Sequence, residues 1–247
     1  MTTILITGAT DGLGRAVAAE LAGRGAAIVV HGRNRDKADA VASEIGADGV
    51  LVADFASLAD VRRMADEAQQ VDVLVNNAGL IVPERRLTED GNELTFQVNY
   101  LAHFLLTLHL LPPRIVNVAS VGQHPIDFDD LTLERGYEGY DAYARSKLAQ
   151  VMFTFELAER WPDLEVNALH PATLMDTKMV REWFGRSRST VAEGVEATVR
   201  LVELDGVSGR YFDGLRESQA NPQAYDAAAR QRLWEVSETL TRRASLG

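Results

Sequence analysis

Tyr143 and Lys147 stand four positions apart in the run Y-A-R-S-K, a spacing that puts both side chains on one face of a helix. A phenol has an ordinary pKa of about 10, too high to trade protons freely at neutral pH. A fixed ammonium close by favours the phenolate and lowers that value. Such a pair is suited to moving a proton to or from an alcohol or carbonyl oxygen. Taken alone, the spacing has a plainer reading as an amphipathic ring beside a solvated charge. The pair acquires a role only if other residues build a site around it.

A phosphate-binding turn is the first such piece. Thr7-Gly8-Ala9-Thr10-Asp11-Gly12-Leu13-Gly14 lies between a short apolar run at 4–6 and a helical pattern at 15–24. Glycines allow a tight turn and close backbone approach, and a helix N-terminus offers free N–H groups to a pyrophosphate. Gly8, Thr10, Asp11, Gly12 and Leu13 are therefore the candidate contacts. The second strand ends in His31-Gly32-Arg33-Asn34, with Gly32 where an enzyme choosing NAD would carry an acid. Arg33 suits a 2′-phosphate, so NADP(H) is the expected cofactor, with Asn34 alongside and Arg15 and Lys37 as possible helpers. Asp54, followed by Phe55, is placed to reach the adenine amine. Its alternative is a helix cap, with Ser57 as competitor. Asn76-Asn77-Ala78-Gly79 closes the fourth strand with small and amide residues that suit a cofactor pocket.

These pieces need a frame that brings them to one edge. The chain alternates apolar strands at 4–6, 26–30, 50–53 and 71–75 with helical patterns at 15–24, 36–45 and 58–68. A long helix at 93–111, a strand at 115–119, a helix at 141–160, a strand at 164–169, a helix at 191–204, a strand at 209–213 and a polar helix at 222–242 follow, with 171–190 irregular. This alternation predicts an α/β fold, a doubly wound and mostly parallel sheet with helices on both faces. Ligands in such sheets bind at the carboxyl ends of the strands. Those ends carry Gly8, Arg33, Asp54, Asn76, Ser120 and Pro171. Ser120 then meets Tyr143 and Lys147 at one rim. Ser120 would hold the substrate oxygen, Tyr143 act as general acid or base, and Lys147 tune Tyr143 and hold the ribose. Asn99, polar in mid-helix, would hold a water relaying protons to Lys147.

Composition bounds the rest. The 247 residues are 46% hydrophobic and 25% charged, which fits one globular domain over 1–247. A net charge of -11 and the lack of a long Lys/Arg run argue against nucleic acid and anionic membrane surfaces. With no Cys, disulfides and thiolate catalysis are excluded, and the five His show no metal-ligand spacing, so no metal is expected. No apolar run reaches membrane-spanning length, and M-T-T-I-L-I-T-G is not a secretory leader, so the expected location is the cytoplasm.

Together T-G-A-T-D-G-L-G, N-N-A-G, Asn99, Ser120 and Y-A-R-S-K resemble the short-chain dehydrogenases/reductases over essentially the whole chain. The resemblance implies a Rossmann-type sheet of seven strands and hydride transfer between a nicotinamide and an alcohol, ketone or aldehyde. It implies an Asn99-Ser120-Tyr143-Lys147 tetrad, and a homodimer or homotetramer joined through the helices at 93–111 and 141–160. Pro171-Ala172 stands for the family's usual Pro-Gly. Thr177 matches the residue that binds the nicotinamide carboxamide, with Thr173 as rival. F-Q-V-N-Y-L-A-H-F-L-L-T and S-K-L-A-Q-V-M-F-T-F-E-L-A look like the retinol dehydrogenase-like group, whose members act on apolar carbonyls and alcohols, often with NADP(H). Residues 174–190 would form a substrate lid, walled by Met175, Met179, Trp183 and Phe184, with His124 and Tyr140 bordering the pocket. An NADP(H)-binding sensor without turnover is the alternative, and such proteins typically lose the Tyr or Lys kept here.

Overall fold

In the computed structural model, which describes residues 1–243, four short apolar runs become one half of a mostly parallel sheet. β1 (Thr3–Ile6), β2 (Ala27–Gly32) and β3 (Gly49–Val52) alternate with α1 (Gly12–Gly23), α2 (Arg35–Ile45) and α3 (Leu58–Glu67). β4 (Val73–Asn76) then crosses to the other side of β1. β5 (Arg114–Val118), β6 (Glu165–His170), β7 (Arg210–Asp213) and β8 (Arg216–Glu217) extend that side, giving the order β3-β2-β1-β4-β5-β6-β7-β8. The reversal between β1 and β4 opens the crevice in which such sheets bind ligands. All pairings are parallel except β7 with β8. The sheet thus has eight strands instead of the expected seven. The additional one is a two-residue antiparallel edge, too short to leave a sequence pattern.

Central strands are largely apolar because both faces are covered. Ile4, Ile6, Val73, Val75, Val116 and Val118 point to a layer made by α1, α2 and α8 (Val191–Val202). Leu5, Leu74 and Ile115 point the other way, toward α3, α5 (Ala102–Leu110) and α6 (Gly139–Arg160). A polar ladder crosses this second layer. Asn76 Nδ2 donates to Asn117 Oδ1 at 2.8 Å and to Thr107 Oγ1 at 3.0 Å, and Asn117 Nδ2 donates to Thr154 Oγ1 at 2.8 Å. Asn76 ties strands together and does not face the crevice.

Three elements differ from the sequence expectation. The helix expected at 93–111 is α4 (Leu94–Phe96), a π turn at Gln97–Leu101 and α5. The Ala102 N–H reaches back five residues to Gln97 O, and Asn99 sits in the widened turn. The stretch expected to be irregular contains α7 (Lys178–Phe184), capped by Thr177 and ended by Gly185 in the left-handed region. None of its residues is buried, so it leaves no apolar stripe. The C-terminal helix divides into a 3-10 turn at Pro222–Tyr225 and α9 (Ala227–Arg243).

α9 packs on the outer side of α5 and α6. Trp234 meets Phe104 edge-on at 5.1 Å, Tyr100 and Ser237 share a hydrogen bond of 2.7 Å, and buried Arg230 pairs with Glu156 at 3.3 Å. The helix pair on which the family resemblance places subunit contact is therefore covered here by the chain's own C-terminal helix. Among the described residues, no helix is long and apolar enough to cross a membrane.

Candidate active site

Asn99 lies in the π turn and Tyr143 and Lys147 in the second and third turns of α6, while the other expected site residues lie in the segments that follow the carboxyl ends of the strands or in the first turn of α1. The turn after β1 is shaped by Gly8, at φ +64°, where a Cβ would come within 2.8 Å of Ala78 Cα. Only glycine permits both the left-handed backbone and that approach. Asn77 Nδ2 donates to Thr7 O at 2.8 Å and to Gly8 O at 3.3 Å, fixing the turn to the end of β4. Thr7 Oγ1 accepts the N–H groups of Asn77 and Ala78 at 2.8 and 2.9 Å. Asp11 caps α1 by accepting the Gly12 N–H at 2.7 Å. Among the described residues the N–H groups of Thr10, Leu13 and Gly14 make none of the turn's hydrogen bonds, so they remain available to an anion. The Leu13 side chain is buried against α8, leaving its backbone at the turn.

Gly32 ends β2 directly beneath Thr10. A Cβ there would stand 2.4 Å from Thr10 Cγ2, so an acidic side chain at this position would have to displace the Thr10 methyl. Arg33 is exposed and makes no ion pair among the described residues. Arg15 is paired with Glu44 at 2.5 Å, which engages one expected helper elsewhere. Asn34 caps α2 by accepting the Lys37 N–H at 3.0 Å. Ser57 is the cap of α3, and Asp54 instead accepts the Ala56 N–H at 2.9 Å. Phe55 is 3% exposed and its ring is stacked on His31 at 4.4 Å, so the ring belongs to the core. The apolar ring follows the burial gradient, while only its backbone stays near the crevice.

Ser120 follows β5, and α6 brings Tyr143 and Lys147 beside it. Lys147 is buried, with Nζ donating to Val118 O and Gln150 Oε1, both at 2.8 Å. Nζ lies 5.5 Å from the Tyr143 ring centroid. Ser120 Oγ accepts the Gly122 N–H at 3.1 Å, and its carbonyl accepts the Tyr211 hydroxyl at 3.0 Å. Burial pushes the Lys147 ammonium down to about 7. Burial likewise pushes the Tyr143 phenol up to about 12, against a smaller downward pull from the Ser120 hydroxyl. Burial is the largest influence on both groups.

The Asn99 side chain makes three hydrogen bonds within the fold. Nδ2 donates to Leu80 O at 2.9 Å and Ser146 Oγ at 3.0 Å, and Oδ1 accepts the Leu80 N–H at 2.8 Å. This side chain fixes the segment after β4 to α6. Gly79 passes between it and Lys147: a Cβ there would meet Asn99 Oδ1 at 3.4 Å and Lys147 Nζ at 3.8 Å.

Beyond β6, Pro171 is buried and exposed Thr173 shares a 3.0 Å hydrogen bond with His170 Nε2. Thr177 rather than Thr173 lies over the turn, its methyl 3.6 Å from where a Gly12 Cβ would be. Residues 174–190 return on themselves, with the Arg188 N–H donating to Leu174 O at 2.9 Å and the Asp176 N–H to Ser189 O at 3.1 Å. Within this loop Phe184 meets Tyr140 edge-on at 6.0 Å, and Tyr140 lies 6.3 Å from Tyr143 and 5.6 Å from His124. Trp183 packs over Gly139, while Met175 turns away to Gly194. The wall beside Tyr143 is therefore aromatic. Tyr211 and the buried pair His31 and His103 carry contacts that no motif announced.

The sequence model of the short chain dehydrogenase family matches residues 2–187. The chain is 38% identical to retinol dehydrogenase 14 of Mus musculus, over 96% of this chain and 85% of that protein. A crystal structure of an uncharacterized protein from Mycobacterium paratuberculosis is similar with a TM-score of 0.85 and 33% identity, covering 98% of this chain and 94% of that one. Another, assigned as a short chain dehydrogenase from Escherichia coli CFT073 and complexed with NADPH, gives a TM-score of 0.70 and 27% identity over 87% and 97% of the two chains. The chain belongs to the short-chain dehydrogenase family and to its retinol dehydrogenase-like group. This is a family of nicotinamide-dependent oxidoreductases acting on CH–OH groups.

Proposed function

We propose that this chain is an NADP(H)-dependent oxidoreductase that interconverts an alcohol and a carbonyl on an apolar or aromatic small molecule, with Tyr143 as the general acid or base. The observation that carries this reading is the half-buried Tyr143 phenol beside Ser120, one helical turn before Lys147, at the strand edge that also holds the glycine turn. The turn amides, Arg33, Asn77, Ala78, Gly79, Pro171 and Thr177 fit a dinucleotide laid across the β1–β4 crevice. The free turn amides suit its pyrophosphate, and unpaired Arg33 beside the side-chain-free Gly32 suits a 2′-phosphate. When bound, the nicotinamide supplies or accepts the hydride.

Ser120 holds the substrate oxygen, and Tyr143 gives it a proton in reduction or takes one in oxidation. Lys147, held by Val118 O and Gln150, keeps a third N–H for the phenol or the ribose. The aromatic wall of Tyr140 and Phe184 excludes water and receives a flat or greasy substrate, in keeping with a relative named for retinol. Residues 174–190 serve as the lid of a single catalytic domain. With α9 on α5 and α6, a dimer would form on α9 or on another face.

The test follows NADPH absorbance with a panel of aryl ketones, apolar aldehydes and long-chain alcohols, alongside Tyr143→Phe. Turnover lost by at least about 100-fold in the variant is expected for an acid–base group. Turnover that survives Tyr143→Phe refutes the assignment. Tight NADPH binding without turnover on any compound would instead identify a sensor.

A further inference from the structure

His31 holds the phosphate-binding turn from beneath by two bonds. Its backbone carbonyl accepts the Ala9 N–H at 2.9 Å, and its Nδ1 lies 3.1 Å from the Gly8 nitrogen. Gly8 N–H can only donate, so Nδ1 is the unprotonated nitrogen. The other ring nitrogen, Nε2, faces Ala53 O at 3.2 Å and donates to it. The ring is buried and stacked on Phe55, which meets His103 edge-on at 5.3 Å. His103 has the opposite tautomer: Nδ1 donates to Asn99 O at 2.8 Å, and Nε2 accepts from Thr7 Oγ1 at 3.0 Å. One imidazole thus joins the glycine turn to the ends of β2 and β3. The other joins the end of β1 to the π turn that carries Asn99.

We infer that His31 is a positioning residue for the dinucleotide: by accepting the Gly8 N–H it aims the remaining amides of the turn, and cofactor affinity depends on that acceptor. The inference rests on the reading of this turn as the dinucleotide site. A bond spent on Gly8 is withheld from the phosphate, so its value to binding lies in orientation. Protonation of Nδ1 would set an N–H against an N–H and release the turn. Burial opposes that protonation and pushes His31 down to about 4, with Asp54 pulling weakly the other way. Asp54 at the end of β3 and His103 across the Phe55 ring are the titratable groups facing it.

Two substitutions separate the ring's two bonds. Asn places its Oδ1 where Nδ1 stands and keeps an acceptor for Gly8. Gln places its amide nitrogen where Nε2 stands and keeps the donor to Ala53 while losing the acceptor. NADP+ binding to the full chain, measured by calorimetry at pH 7, is expected to weaken little in His31→Asn and about 5- to 150-fold in His31→Gln. Thermal unfolding of each variant checks that both are folded. Below about pH 5 the unmodified chain is expected to lose affinity more steeply than His31→Asn, because only the imidazole can gain a proton. Equal affinity in His31→Gln, or parallel pH profiles, overturns the role of His31 while leaving the dinucleotide site in place. An unmodified chain that binds neither NADP+ nor NAD+ overturns the reading of the turn, and this inference with it.

Discussion

Cofactor choice rests on two neighbouring positions, and a substitution at each tests it. Arg33 is exposed beyond β2 and has no acidic partner among the described residues. A charge-assisted hydrogen bond to a 2′-phosphate contributes about 1.5–3 kcal/mol, so Arg33→Ala should weaken NADPH about 10- to 150-fold and leave NADH nearly unchanged. Gly32→Asp, which supplies the acid of an NAD enzyme, should fail by itself. Its Cβ would lie 2.4 Å from Thr10 Cγ2, 3.4 Å from Thr10 Oγ1 and 3.5 Å from Thr10 Cβ. Ordinary carbon contacts lie at about 3.5–4.0 Å. Relieving that overlap forces the Thr10 side chain out of its rotamer and costs about 0.5–1.5 kcal/mol, or about 2- to 13-fold in affinity for either cofactor. Thr10→Ala removes the two closest atoms, and the next contact, Thr10 Cβ at 3.5 Å, is an ordinary one. The double variant Thr10→Ala/Gly32→Asp should therefore bind NADH more tightly than Gly32→Asp alone and reject NADPH. Dissociation constants for both cofactors, taken by tryptophan quenching at one fixed ionic strength, decide the matter. Gly32→Asp binding NADH as well alone as with Thr10→Ala would refute the steric reasoning. Equal losses for NADPH and NADH in Arg33→Ala would remove the 2′-phosphate from this position.

Three further outcomes follow from the same structure. Burial lowers His31 to about 4 and His103 to about 3, so the unfolded chain takes up protons first as pH falls. Their contribution to stability is complete above about pH 6.5 and is lost on going down toward pH 4, on the order of 3 kcal/mol for His31 alone. Urea unfolding at pH 7 and pH 4.5 should show that loss, and a stability independent of pH over this range would contradict it. Gly139→Ala puts a Cβ 2.3 Å from Val82 O and 2.6 Å from the Trp183 ring. Backbone cannot yield as a side chain does, so about 1–3 kcal/mol of stability should go, with a raised KM for substrate as Trp183 shifts. An unchanged melting temperature would show that α6 starts more loosely than described. Trp234 is 6% exposed, and Arg160 lies 4.1 Å over its ring. Trp234→Ala should cost about 3–5 kcal/mol in urea unfolding, and a loss below 1 kcal/mol would mean that α9 adds little to the α5–α6 layer.

Local periodicity carried most of the fold into the sequence. β1, β2 and β4 are buried on both faces, and the apolar runs Ile4–Ile6, Ala27–Val30 and Val73–Val75 say so without reference to any neighbour. The glycine turn is legible for the same reason, since a left-handed φ at Gly8 is a demand on one residue. The Tyr143–Lys147 pair was visible because helix geometry alone brings i and i+4 together.

Properties set by distant contacts were not visible. Burial in the folded site, which no local pattern reports, pushes Tyr143 up and Lys147 down. Asn99 was recognisable as a polar residue in mid-helix, yet its partners Leu80 and Ser146 lie 19 and 47 positions away. Phe55 follows Asp54 at the end of a strand, and only the packing of His31 decides that its ring turns inward. The same holds for the two histidines, whose tautomers are fixed by Gly8, Ala53, Asn99 and Thr7. A chain of residue types specifies periodicity and local backbone freedom. Charge state, hydrogen-bond partners and the choice of core or crevice depend on which segments meet, and that is settled only when the sheet closes.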